Sequence, residues 1–539
     1  MNDQVQWRPK YYPAQSFTDQ PPPITLPNEE PAQLPMAIRA VPDSKSPVVG
    51  RTLVICLDGT GDKFDGDNSN VVNFVSCLKK DDPTQVTYYQ SGIGTYNGHG
   101  GLSKGFSAGI DMAIGSGLGI HIKDAYQFIM QNYIEGDRIC LLGFSRGAYT
   151  VRCLAGMLHK VGLLPAYNTA QVNFAYQFYK NDTADGWEMS EQFKRTFCQD
   201  VTVYFVGIWD CVASVGFIPR QLPFSKSPTN TVSYFRHAMA LDEHRAKFKV
   251  CHWQSSNEVP IKTLYPAKNS SRHIIDPTVA ASDLTTKIIQ HKDVKQSKYE
   301  SQFNKSDPHA SNVKTDVREV WFAGCHADVG GGAVKNGERH MLSRIPLRWM
   351  LRQCFECKTG IKFSTAALAE VGLDVRTLWP VYQKPEKPIV GPSPRMMEQY
   401  EAGGLPPLRR RSTVLGVDPE ADDSLIGDEK SSSPEALDLD LVPEQAEDHF
   451  DAMCHINDML VIKRPWWILE VWPVRFQVLK KDSKGQERWQ KFVGMNLGRW
   501  RAIKDPEPKM HWTVERRIAE KGYKIRNATG GDAVWKAVA

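Results

Sequence analysis

The stretch Gly143-Phe144-Ser145-Arg146-Gly147 has the residue types and spacing to present a serine as a nucleophile. In a GxSxG turn the serine sits on a sharp, strained connection between strand and helix, and the small flanking residues let the backbone pass without collision. The hydroxyl then stands above the sheet edge, where the helix N-terminus favours developing negative charge. Five apolar-rich residues precede the motif and a helix-like run follows it, which is the context such a turn requires.

A nucleophilic serine needs a base and an orienting acid, and in the α/β-hydrolase chain order these follow it as acid, then histidine. The apolar run VTVYFVGIWD delivers Asp210, and EVWFAGCHAD delivers His326, each just beyond a strand terminus. The alternatives are a turn-capping role for Asp210 and a buried His326 satisfied by Asp328. His511 is the rival base, since it lies in an ordered-looking segment. His237, His244, His252, His309, His340 and His455 are less well placed.

Two backbone N–H groups are needed for an oxyanion hole. Arg146, after the nucleophile, supplies one, and Gly59 or Thr60, in the loop Leu57-Asp58-Gly59-Thr60-Gly61-Asp62, supplies the other. Asp58 and Asp328 are expected to order their loops rather than to react. The chemistry is that of an esterase or lipase working through an acyl-enzyme, on a small-molecule or lipid ester. Two other readings compete: a catalytically silent hydrolase-like scaffold for protein interaction, and an aspartyl-phosphate phosphohydrolase. The second needs an Asp where Cys56 stands, and so lacks its nucleophile.

The elements that must hold these residues are legible as strands alternating with helices. RTLVICL, QVTYY, RICLLGF, VTVYFVGIW and EVWFAG are apolar strand-like runs. Helical spacing marks residues 120–134, the stretch after Gly147, residues 172–179 and residues 342–353, and a Gly-rich connection spans residues 92–119. Continuous apolar strands between helices indicate an α/β fold, a mostly parallel sheet covered on both faces.

Residues 49–384 are assigned to this catalytic domain. Residues 1–48 are Pro-rich and expected to lack order, and so are residues 385–448, where thirteen acidic residues face one Lys between Asp418 and Asp451. Arg409-Arg410-Arg411-Ser412 reads as an exposed basic cluster. Residues 449–526 carry Trp466, Trp467, Trp472, Trp489, Trp500 and Trp512 and should pack back on the core, with a lid or a peripheral membrane contact left open. Residues 527–539 are a tail.

Composition narrows the rest. A net charge of +5, not gathered into one block, argues against a nucleic-acid binder. The cysteines number 11, with Cys354 and Cys357 a lone CxxC, so free thiols in a reducing compartment and no zinc ribbon are expected. No cofactor or metal is implied. The absence of an apolar leader or of about 18 consecutive apolar residues points to a cytosolic protein without a transmembrane segment.

Taken together, LDGTGD, GIGTY, the run from Ala125 to Leu164 around GFSRG, IWDCVAS, ALDEHR and GCHADVGGG resemble the type VI secretion phospholipase effector-like catalytic domain, an α/β-hydrolase family of fungi and bacteria. The resemblance covers about residues 51 to 355, with a weaker echo in WWILEVWP and in the NLGRWRAI to MHWTVERR region. It implies a lipolytic serine hydrolase fold with Ser145 as nucleophile, Asp210 as acid and His326 as base. Characterised bacterial relatives are phospholipases, so phospholipid is the substrate class it suggests.

Overall fold

A computed structural model of the chain describes residues 33–47, 50–93, 108–212, 222–225, 231–253, 296–305, 314–418, 441–471, 473–481 and 487–539. Its centre is an eight-stranded sheet: β1 (Thr52–Leu57), β2 (Gln85–Gln90), β3 (Arg138–Phe144), β4 (Val203–Trp209), β5 (Val232–Ala240), β6 (Asp316–Phe322), β7 (Lys509–His511) and β8 (Lys536–Val538). The spatial order is β8-β7-β6-β5-β4-β3-β1-β2, and every pairing is parallel. The fold is α/β, as the alternation of the sequence predicts. β1 is TLVICL with every residue buried, because both faces of a central parallel strand are covered.

One face of the sheet is covered by α2 (Ala108–Asn132), α3 (Ser145–Val161) and the helix Val172–Lys180. The other is covered by α1 (Asn70–Cys77) and α5 (Arg344–Glu356), which enclose Phe74, Trp209, Phe205 and Phe355. α1 begins where it does because Ser69 accepts a hydrogen bond from the Val72 amide. β1 lies between β2 and β3, so the chain reverses its direction of travel across the sheet there. Such a point leaves a crevice at the carboxyl ends of the strands. Ser145, the loop after Leu57, Asp210 and His326 all follow carboxyl ends on that edge.

Several expectations are corrected. Part of the Gly-rich connection 92–119 is helix, since α2 already starts at Ala108. Two of its glycines allow close approach: a Cβ on Gly117 would stand 2.6 Å from Ile93 Cγ2, and one on Gly119 2.7 Å from the Tyr176 hydroxyl. β5 was missed because Arg236 and His237 interrupt its apolar pattern. Both are buried and paired, Arg236 with Asp316 and Gln353, His237 with Glu319.

The N-terminal stretch is built in from residue 33: Ala37–Arg39 pairs with Lys362–Ser364, and Ile38 and Ala40 are buried. Residues 1–32 and 419–440, both within segments expected to lack order, lie outside the described residues. The end of the acidic stretch is not solvated. It forms α6 (Glu444–Ala452), whose Glu444 pairs with Arg352, whose Asp448 and Asp451 pair with Arg348, and whose Glu447 pairs with Arg339. Arg411 and Ser412 are buried too, Arg411 donating to the carbonyls of Leu373 and Val442 and Ser412 to Glu370, so of that cluster Arg409 and Arg410 alone are exposed. The tail joins the main sheet through β8. All the cysteines, Cys354 and Cys357 included, are free thiols.

Candidate active site

The last residue of β3, Phe144, is extended (φ −120°, ψ 143°), and Ser145 turns sharply to φ 57° at the start of α3. A positive φ on a serine is strained and persists only where its surroundings enforce it. Gly147 faces the end of β1 so closely that a Cβ there would stand 2.3 Å from the Leu57 carbonyl oxygen. Gly143 would likewise meet the Ala148 amide at 2.8 Å. The glycines of the motif are therefore required by two backbones in contact.

Three side chains predicted from sequence converge here. His326 Nε2 lies 2.8 Å from Ser145 Oγ, and His326 Nδ1 lies 2.5 Å from Asp210 Oδ2. With a carboxylate on Nδ1 and a hydroxyl on Nε2, the imidazole carries its proton on Nδ1 and accepts the serine proton at Nε2. All three residues are buried. Asp210 follows β4 with φ 37°, a second strained residue at the same edge.

Electrostatics act differently on Asp210 and His326. Burial alone would raise the Asp210 carboxyl, but Arg501 and the hydrogen bonds from His326 and Arg501 outweigh it and hold it far below the usual carboxylate range. Burial lowers the His326 imidazole below its ordinary value, and the bond and charge of Asp210 recover only part of that fall. Neutral imidazole beside ionised carboxylate is the state a general base needs.

The loop after β1 is ordered by Asp58. Its Oδ1 accepts from the Gly59 amide (2.8 Å), and its Oδ2 from Ser69 Oγ and Tyr89 Oη (2.9 Å each). This corrects one expectation: the Gly59 N–H is already occupied, so of the two candidate oxyanion donors only Thr60 is left as a candidate. The Thr60 hydroxyl is buried without a hydrogen-bond partner. Asp62 sits against the same loop and is pushed up to about 8, by burial first and then by Asp58 and Asp65, with Arg146 opposing. Arg146 is the first residue after Ser145, where α3 leaves its leading amides without intrahelical acceptors.

Asp328 does not bond the His326 ring. Its Oδ2 accepts the Cys325 amide (2.8 Å) and the Asn457 amide (2.9 Å), and its Oδ1 accepts Asn457 Nδ2 (2.7 Å). It thereby ties α4 (His326–Gly330) to the C-terminal segment. His511 is occupied elsewhere: its Nδ1 meets Thr513 Oγ1 at 2.9 Å, its ring stacks on Phe322, and burial lowers it to about 3. His309, part of GIGTY and the end of IWDCVAS lie outside the described residues.

Sequence reasoning missed four residues that surround His326 and Asp210. Glu243, held at about 2 because Arg245 outweighs the effect of burial, accepts the His326 amide at 3.3 Å. Arg245 pairs with Glu243 and covers the Phe248 ring, 3.6 Å from its centroid. Phe248 in turn meets the His326 ring. Arg501, from the far end of the chain, binds both oxygens of Asp210. ALDEHR was a visible motif, but nothing local to Arg501 marks it.

Among the described residues, no group of three His, Cys, Asp or Glu side chains could hold a metal ion. No helix there is long and apolar enough to cross a membrane.

A curated relative, an uncharacterised protein of Saccharomyces cerevisiae, is 26% identical over 577 aligned residues, covering 89% of this chain and 80% of that protein. An uncharacterised protein structure from Pseudomonas aeruginosa aligns with 16% identity and a TM-score of 0.32, covering 76% of this chain; this chain spans 63% of that one. The structure of the Tle1 effector bound to the VgrG spike of the type VI secretion system aligns with 14% identity and a TM-score of 0.26, covering 83% of this chain and 91% of that one. Residues 51–353 match the family described as the type VI secretion system (T6SS) phospholipase effector Tle1-like catalytic domain, and this chain belongs to that family.

Proposed function

We propose that the protein is a serine hydrolase of the α/β-hydrolase type that cleaves carboxylic esters, with the acyl ester bonds of phospholipids as its substrate class. The observation that carries the reading is the chain from Ser145 Oγ through His326 to Asp210, with contacts of 2.8 and 2.5 Å. His326 Nε2 takes the Ser145 proton as the alkoxide attacks the ester carbonyl. Asp210 holds the imidazole in the required tautomer and stabilises the imidazolium that forms. The Arg146 amide and Thr60 receive the oxyanion. His326 then protonates the leaving alcohol, and water resolves the acyl-enzyme by the reverse sequence.

The family's description supplies the lipid, and the surface beside the site suits one. Val461, Ile462, Trp467, Ile468 and Val471 are exposed, with Lys463 and Arg464 among them. Trp466 packs on Phe248, ring centroids 5.6 Å apart, and so connects this apolar, cationic strip to the ring that covers His326. Exposed Trp and Ile beside basic residues are the composition of a peripheral membrane contact.

Fluorophosphonate labelling of the purified protein, with mass spectrometry to locate the adduct, tests the mechanism. An adduct on Ser145 that is lost in both Ser145→Ala and His326→Ala is the expected result. A folded protein that takes no label, or takes it at another residue, refutes it.

A further inference from the structure

Asp210 lies at the centre of a buried hydrogen-bond group that the family-matched residues 51–353 do not complete. Its Oδ1 accepts the Ala240 amide at 3.0 Å and Arg501 Nη1 at 2.6 Å. Its Oδ2 accepts His326 Nδ1 at 2.5 Å and Arg501 Nη2 at 2.9 Å. Arg501 is itself buried, and all five donors of its guanidinium are used. Beyond the two bonds to Asp210, Nη1 reaches the Ala240 carbonyl, and Nε and Nη2 reach the Phe248 carbonyl. One planar side chain thus fixes the acid, the end of β5 and the residue whose ring covers the base.

We infer that Arg501 is the positioning residue of the Asp210 carboxylate, and that the C-terminal segment carrying it is part of the active site. The inference rests on the serine-hydrolase reading above. Bidentate pairing fixes the plane of the carboxylate, so that Oδ2 rather than the whole group in rotation faces Nδ1. The cation also keeps a fully buried acid ionised, which its desolvation would otherwise oppose. A positive charge behind Asp210 offsets part of the field that the carboxylate places on the imidazole, so the Asp210–His326 pair takes up a proton only at lower pH. Lysine cannot substitute, because three donors on a single nitrogen cannot span both carboxylate oxygens and two carbonyls.

The same segment is anchored independently of Arg501. Asn457 bonds Asp328, Asp458 bonds His244 at 2.9 Å, and Glu470 accepts the Ala246 and Gly498 amides at 2.5 and 2.9 Å. Trp500, next to Arg501, stacks on His244 with ring centroids 4.4 Å apart. The guanidinium therefore arrives on a backbone held before it by these contacts and after it by the pairing of Ala502–Ile503 with Ala528–Thr529.

The test uses the full-length chain and a soluble short-chain nitrophenyl ester. Arg501→Ala is expected to lower kcat about 100-fold or more, with KM held within about threefold. Methylguanidinium should restore turnover of that variant in a saturable manner and leave the wild type unaffected. Arg501→Lys should stay well below wild-type kcat, and it decides the matter if Arg501→Ala does not fold. A second readout needs no turnover: in a Ser145→Ala background, the His326 ring resonances are followed by NMR against pH, and adding Arg501→Ala should move their midpoint upward. Wild-type kcat in either variant, or a folded Arg501→Ala protein that methylguanidinium fails to rescue, overturns the inference. If the wild type hydrolyses no ester while the midpoint still moves, the hydrolase reading falls and the positioning role stands. A midpoint that does not move overturns the positioning role whatever the turnover.

Discussion

The Phe248 ring meets the His326 imidazole edge-on, with centroids 4.8 Å apart and the planes at 72°. Phe144 lies against the same imidazole, at 4.7 Å and 34°. The ring is thus held between two phenyl groups and is 6% exposed. This packing is the physical cause of the lowered proton affinity of His326, which burial dominates.

The sign of the pH dependence follows. In the proposed mechanism the neutral imidazole is the base, and its folded value lies below the ordinary value of about 6.5. The acid limb of kcat/KM should therefore fall below pH about 6.5. Phe248→Ala admits water to the ring and should move that limb upward. Profiles of both proteins on a soluble ester check this, and an acid limb above 6.5 in the wild type contradicts it.

Asp62 behaves in the opposite sense. Its carboxyl is raised to about 8, so the folded state keeps a proton that the unfolded chain releases near pH 4. The stability tied to that proton is complete below pH about 4 and is lost as pH rises through about 8. Asp62→Asn carries no such penalty. Its stability relative to wild type should grow between pH 4 and 8, reaching about 1 kcal/mol once discounted for the partial exposure of the carboxyl. Urea unfolding at pH 4, 6 and 8 gives the comparison.

Asp58→Ala would leave the Gly59 amide and the Ser69 and Tyr89 hydroxyls without their acceptor. Each buried, unsatisfied donor carries a cost, so the loss should be about 3 kcal/mol in total. The loop that presents Thr60 loses its anchor in the same step. The rate of fluorophosphonate labelling should fall even at temperatures where the variant remains folded.

Gly330→Ala tests packing rather than polarity. A Cβ there would stand 1.8 Å from Phe144 Cε2, in the ring that lies against His326. The substitution should cost about 2–3 kcal/mol by overpacking and displace the imidazole from Ser145. A melting temperature and labelling rate equal to wild type would count against this account of the Phe144–His326 contact.

The legible part of this protein is local. Strands buried on both faces must be continuous apolar runs, so β1, β3, β4 and β6 are visible in sequence, and the parallel α/β class follows from their alternation with helices. The strained turn at Ser145 needs glycine on either side, which leaves a short signature. Asp210 and His326 could be singled out because each follows such a strand. β5 was not legible, because Arg236 and His237 are buried inside it against partners that the sequence does not place beside them.

The acidic residues of α6 look solvated by composition and are in fact paired with Arg339, Arg348 and Arg352. The Gly59 amide looks available until its own neighbour Asp58 claims it. Above all, Arg501 reaches Asp210 across 291 positions of chain. Hydrophobic period and turn chemistry act between near neighbours, so the amino-acid order alone determined the α/β class, the elbow and the serine it presents. Ion pairs and shared hydrogen bonds depend on which distant segments meet, so only the tertiary structure decided what holds the acid and covers the base.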